Sequence, residues 1–146
     1  MKDGVLLKLF GREIESTCRE AAALGGAGSD LRPHAEALGR AASRALTTTK
    51  KLFDANDLDK TLANASIYLE MFGHLVVAWM WLKQATVAAK ALDGNTAMAA
   101  DEQAFYRGKL QAAQFFYHWE LPKCAAWCDL LESLDTTALD MQDEWF

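Results

Sequence analysis

Apolar positions recur along this chain with a helical period. Val5, Leu6, Leu9, Ile14, Thr17 and Ala21 follow the spacing of one helix face, which predicts a first helix over about Asp3 to Ala23. Asp3 is placed to cap its first turn, and Gly25-Gly26-Ala27-Gly28 to end it, since glycine readily takes the left-handed conformation that closes a helix. A second helix is predicted from Leu31 to about Ala55, with Ser29 or Asp30 as N-cap. Pro33 then falls in the first turn, where a missing N–H does no harm. Its stripe is Leu31, Ala35, Leu38, Ala42, Ala45, Leu46, Thr49 and Phe53, and the small residues on it suit close approach to a neighbour.

The third helix is predicted from Leu58 to Leu92, capped by Asn56 or Asp57 and stopped at Asp93-Gly94-Asn95. From Tyr68 to Leu82 it is apolar on more than one face, so it should be central. The fourth runs from Ala100 to Leu134. Phe105, Ala112, Phe116 and Trp119 make its expected stripe, with Tyr106, Leu110, Ala113, Tyr117 and Leu121 beside them. Arg107, Gln111, Gln114 and His118 share the opposite, polar face. Pro122 is expected to kink or break this helix near Trp119. No run alternates as a strand does. The predicted architecture is therefore all-α: an up-and-down four-helix bundle over residues 1–134 with a Pro-kinked last helix, followed by a tail over 135–146.

Composition agrees. Among 146 residues, 9 are Gly and 2 are Pro, so helices should be long and connections few. The 51% hydrophobic share is ordinary for a globular chain and argues against disorder. Charge changes the picture only locally. The net charge is −5, which excludes a basic nucleic-acid footprint. Asp135, Asp140, Asp143 and Glu144 lie in the tail, which has no Lys or Arg. Taking those four from the 20 acids leaves 16 against 15 basic residues. Cys18, Cys124 and Cys128 are an odd number, and the N-terminal MKDGVLLKLFGREIES has no signal-peptide cleavage site, so a reducing, cytoplasmic setting is expected. The most apolar stretch, Leu75 to Leu82, is too short to span a bilayer, so no membrane partner is expected.

Candidate chemistry is sparse. Cys124 and Cys128, four apart, share a helix face with His118 six residues before, but a metal would need further converging ligands. They read better as small apolar core residues. Glu70 and His74 share a face on the third helix, yet the E-x-x-x-H spacing occurs once and is not the E-x-x-H of di-iron bundles. A local ion pair or hydrogen bond is the plainer account; a metal-binding bundle built on Glu70 and His74 is a weak third reading. Lys109 either snorkels to the rim of its stripe or pairs with an acid such as Glu70 across the bundle. The aromatics Trp79/Trp81 and Phe115/Phe116/Tyr117/Trp119 read as core, with any exposed remainder suited to docking. There is no glycine-rich phosphate loop, G-x-S-x-G, H-E-x-x-H or Rossmann fingerprint. Hence no catalytic, cofactor-binding or metal-ligating residue is assigned.

At the third and fourth helices the chain resembles a known family. SIYLEMFGHLVVAWMWLKQA (Ser66 to Ala85) and QAFYRGKLQAAQFFYHWELPK (Gln103 to Lys123) are similar to the C-terminal helical extension of certain acyl-CoA dehydrogenases. These are enzymes of the 3-methylmercaptopropionyl-CoA dehydrogenase type, whose extension is called the acetyl-CoA dehydrogenase-like C-terminal domain. Tyr68-Leu69 leading to Phe72-Gly73, the Trp at 79 or 81, Phe105-Tyr106-x-x-Lys109, Phe116 with Leu121-Pro122, and the terminal Asp143-Glu144-Trp145-Phe146 carry the resemblance. In that family a Gly-Arg-Lys-rich segment leads into a sequence like Lys2-Asp3-Gly4, with the motif of the catalytic glutamate just before it.

The resemblance implies that this chain is the C-terminal portion of a flavoenzyme, starting after the catalytic base and lacking the flavin-contacting core. The full enzyme would oxidise acyl-CoA to 2,3-enoyl-CoA with FAD, whereas no FAD is expected on this chain. The expected partners are the dehydrogenase core of the same polypeptide, acyl-CoA in the full enzyme, and a second copy in a homo-oligomer. The tail then reads as the enzyme's natural C-terminus, with Trp145-Phe146 as an apolar anchor. The alternative is a free-standing helical bundle that serves as an interaction or ligand-binding module.

Overall fold

The computed structural model describes residues 4–24, 30–94 and 97–145, and within them every regular element is helical. The expected caps at Asp3 and Ser29, the glycine run 25–28, Asn95 and Phe146 lie outside the described residues.

Helix α1 is Val5–Ala22 and α2 is Arg32–Asp54. Leu31 occupies the cap position of α2 with no side-chain hydrogen bond. Asp30 acts from one residue further out and accepts the Arg32 N–H at 3.1 Å. The predicted third helix is divided. Asp57 caps a short α3, Leu58–Ala63, by accepting the Lys60 N–H at 3.1 Å. Asn64 departs from helical geometry, and α4 then runs from Ala65 to Gly94. The predicted fourth helix is divided as well. Helix α5, Ala100–Phe115, passes into a π-helical turn, Phe116–Glu120, and α6 restarts as Lys123–Ser133. Pro122 has no N–H to continue the ladder, and the Leu121 N–H reaches five residues back to the Phe116 carbonyl at 2.9 Å.

Helix α4 is central: it packs on α1, α2, α5 and α6. Alanines make the closest packing. Ala35, Ala42 and Ala45 of α2 and Ala78, Ala85 and Ala89 of α4 are buried, with Leu38, Leu75 and Leu82 filling the space between turns. Burying each leucine contributes roughly 1.5–3 kcal/mol. Directions alternate. Phe10 stacks on Phe72 and Thr17 bonds Trp79, so α1 and α4 run the same way. Arg44 meets Asp129 and Thr48 meets Glu132, so α2 and α6 share the other direction.

Two predicted stripes need correction. Val5, Leu6, Leu9 and Phe53 are exposed; Phe10 points inward instead of Leu9, and Thr48 and Leu52 are buried on α2. On the last helix, Phe105 and Trp119 are exposed, and the true inward line is Ala113, Tyr117, Leu121, Cys124, Cys128 and Leu131. The miss begins in α5 itself, ahead of the π turn, where Leu110 and Ala113 face the core and Phe105 does not. Helix α4, at 30 residues, is also long and apolar enough by length and composition to cross a membrane, a test that core helices of soluble proteins pass too. It packs against four other helices, and 22% of its most apolar stretch is buried.

Candidate functional site

Cys124 and Cys128 lie on the buried face of α6, against α4. The Cys124 thiol donates to the Met71 carbonyl at 3.6 Å, and Cys128 Sγ lies 3.2 Å from Met71 Sδ. Burial pushes the Cys124 thiol up to about 11, and burial raises Cys128 too. Both are thus protonated, unreactive thiols at neutral pH. His118 is not brought to them; its ring stacks on His34 of α2, with centroids 6.4 Å apart.

Glu70 and His74 do come together, and a residue that sequence spacing missed joins them. His74 Nε2 lies 3.3 Å from Glu120 Oε2, and Nδ1 lies 3.9 Å from Glu70 Oε2. Lys123 donates to the same Glu120 oxygen at 2.6 Å and, with His74, holds that carboxyl below its ordinary range. The ring packs edge-on against Trp127 at 4.7 Å. This cluster fastens the π turn to α4. No set of three or more His, Cys, Asp or Glu side chains among the described residues is arranged to hold a metal ion. Glu120 carried no usable signal, since it lies 46 residues from His74 and meets it only through the fold.

Lys109 does not reach Glu70. Its amine donates to Gln84 at 3.3 Å and lies over the rings of Phe105 and Trp81, 5.4 and 5.7 Å from their centroids. Cation–π contact of this kind is worth about 0.5–1 kcal/mol at an exposed site. It stands on an apolar surface made by α4 and α5. Trp119 is 68% exposed, Val87 61%, Phe105 58% and Phe115 54%. Phe115 and Trp119 stack 6.0 Å apart, and Trp81, Ala112 and Phe116 line a shallow depression of about 620 Å³ beside them. Such clustering of large exposed apolar side chains is what docking surfaces show. Of the aromatics expected in the core, Tyr117 is buried and donates to the Ala78 carbonyl at 2.9 Å, while Trp79 donates to Thr17.

Comparisons with known proteins give this helical unit a family. A family model described as "Acetyl-CoA dehydrogenase C-terminal like" matches residues 10–142. The chain belongs to this family. Among curated proteins, the broad-specificity linear acyl-CoA dehydrogenase FadE5 of Mycobacterium tuberculosis (strain ATCC 25618 / H37Rv) is 31% identical over 93 residues. That match takes in 64% of this chain and 15% of FadE5, so the chain spans only a small part of its relative's length. Within the acetyl-CoA dehydrogenase C-terminal-like family, the described structure offers a helical body with protonated core thiols, one carboxylate–imidazole clasp and an aromatic outer face.

Proposed function

We propose that this chain acts as the C-terminal helical domain of an FAD-dependent acyl-CoA dehydrogenase, contributing packing rather than catalytic groups. The full enzyme would take an acyl-CoA to the 2,3-enoyl-CoA. The observation that carries this is the family match over residues 10–142. The exposed aromatic face of α4 and α5 supports it further, as the surface that would meet the dehydrogenase body. The same proposal takes α1, α2, α4 and the α5–α6 pair as an up-and-down four-helix bundle within residues 1–134. The alternating helix directions support it. The break beside Pro122 would bend the last helix. Residues 135–146 would be a separate tail; it is exposed over most of its described length and joins the helices through the Asn64 amide, which donates to the Asp135 carbonyl at 2.8 Å. A cytoplasmic setting and self-association through the apolar face belong to the same proposal.

Two measurements test it. Purified chain should show no flavin absorbance, and stoichiometric bound FAD would overturn the non-catalytic role. Mixed with an acyl-CoA dehydrogenase body of this family lacking its own C-terminal domain, the chain should co-sediment with it. Trp119→Ser should weaken that complex roughly tenfold, the cost of losing a central aromatic anchor. Absence of any complex would remove the docking role.

A further inference from the structure

The polar face of α5 adjoins the aromatic docking face at Gln111 and continues towards α2. Arg107, Gln111 and Gln114 line a cleft of about 460 Å³ whose other wall is the start of α2, with His34, Leu31 and Leu110 also exposed to it. Arg107 holds no ion pair or hydrogen bond among the described residues, and neither carboxamide is engaged there. Asp30 sits at the rim, but its carboxylate is taken by the Arg32 guanidinium through bonds of 2.9 and 2.8 Å. Helix α2 has no acid in its first turn, and the Asp30 carboxylate that accepts the Arg32 N–H at 3.1 Å is the one acid at its start among the described residues.

A second, independent observation comes from His34. Both ring nitrogens are shut off from solvent and have no hydrogen-bond partner. The ring is wedged edge-on against Tyr117 at 4.6 Å and parallel to His118. Burial and the neighbouring His118 lower its proton affinity, so it is a neutral imidazole with one N–H to donate. A buried donor without an acceptor calls for an explanation, and an absent ligand is one. Gln111 and Gln114 are exposed and line the same cleft as the His34 ring.

We propose that this cleft binds a small organic molecule carrying an oxyanion. The charged group would sit on Arg107 and the two carboxamides with one oxygen towards the His34 N–H, and the organic part against Leu31 and Leu110. The proposal holds whether or not the chain docks on a dehydrogenase body. Phosphate esters and carboxylates share the required chemistry, and the probes separate them.

The test is an NMR titration of the isotope-labelled chain with phenyl phosphate, benzoate and, as the uncharged control, phenol. Saturable shifts of the His34 ring and of the Gln111 and Gln114 amides are expected with an anionic probe and not with phenol. A response to phenyl phosphate alone or to benzoate alone supports the site and names its oxyanion. Arg107→Ala should weaken binding about tenfold or more, as loss of a charge-assisted hydrogen bond does. Arg40→Ala, which removes another exposed arginine paired with Glu36, should leave it unchanged. Both positions are exposed, so the variants keep their fold, and unchanged shifts elsewhere check this. Shifts that fail to saturate with either anion, equal response to phenol, or equal affinity in the Arg107→Ala chain would overturn the proposal.

Discussion

Replacing Thr17 with valine removes one hydroxyl from the seam between α1 and α4 and keeps the side-chain shape. In the native chain the Trp79 indole N–H donates to Thr17 Oγ1 at 2.8 Å, and that hydroxyl donates onward to the Glu13 carbonyl at 3.0 Å. The Glu13 carbonyl is inside α1 and keeps its helical partner. The indole N–H has no such alternative. An unsatisfied buried donor costs about 1–3 kcal/mol, and since Trp79 is only half-buried the lower end applies. Thr17 is 8% exposed, so the added methyl group recovers a few tenths of this by apolar burial. The expected net loss is about 1 kcal/mol, seen as a fall of roughly 3 °C in Tm for a domain of this size. Urea unfolding of the wild type, Thr17→Val, Trp79→Phe and the double variant measures the coupling. If the bond carries the loss, the pair should couple by about 0.5–1.5 kcal/mol, and additivity within about 0.3 kcal/mol would refute the assignment.

Met71→Ala should cost about 2–5 kcal/mol, because the Met71 side chain is fully buried and its sulfur lies against Cys128; urea unfolding checks this. Glu132 accepts from the buried Thr48 hydroxyl at 2.7 Å and lies 3.4 Å from the Arg44 guanidinium, which together hold its carboxyl below the ordinary value of 4.5. A depressed folded value stabilises above the unfolded one, so this contribution should be lost as pH falls below 4.5 towards the folded value. Glu132→Gln should therefore flatten the acid limb of urea midpoint against pH; an unchanged limb would exclude Glu132 as its source.

How much of this could be read beforehand differs residue by residue. The Asp57 cap, the first-turn Pro33 and the end of regular helix before Pro122 are local events. Each depends on dihedral preference and hydrogen-bond supply within a few residues, so spacing alone located them. Lys109 illustrates the opposite case. Its partner is Gln84 and not Glu70, because the relative register of α4 and α5 decides which side chains meet. Glu120 is reached from His74 only across that same packing. The Phe105–Trp119 stripe failed for a related reason, since packing turned the neighbouring face of α5, with Leu110 and Ala113, towards the core.

Helical period, the small residues along α2 and the near-continuous apolar surface of α4 were enough to specify an all-helical chain with α4 at its centre. They could not specify how many sides of each helix would find a neighbour. A hydrophobic face is a property of local order, but its burial needs another element at about 8–10 Å. On α4, α5 and the π turn the described chain supplies no element to cover Val87, Phe105, Phe115 and Trp119, so residues with the chemistry of a core stand at the surface. The same packing closes over His34 without giving its nitrogens a partner.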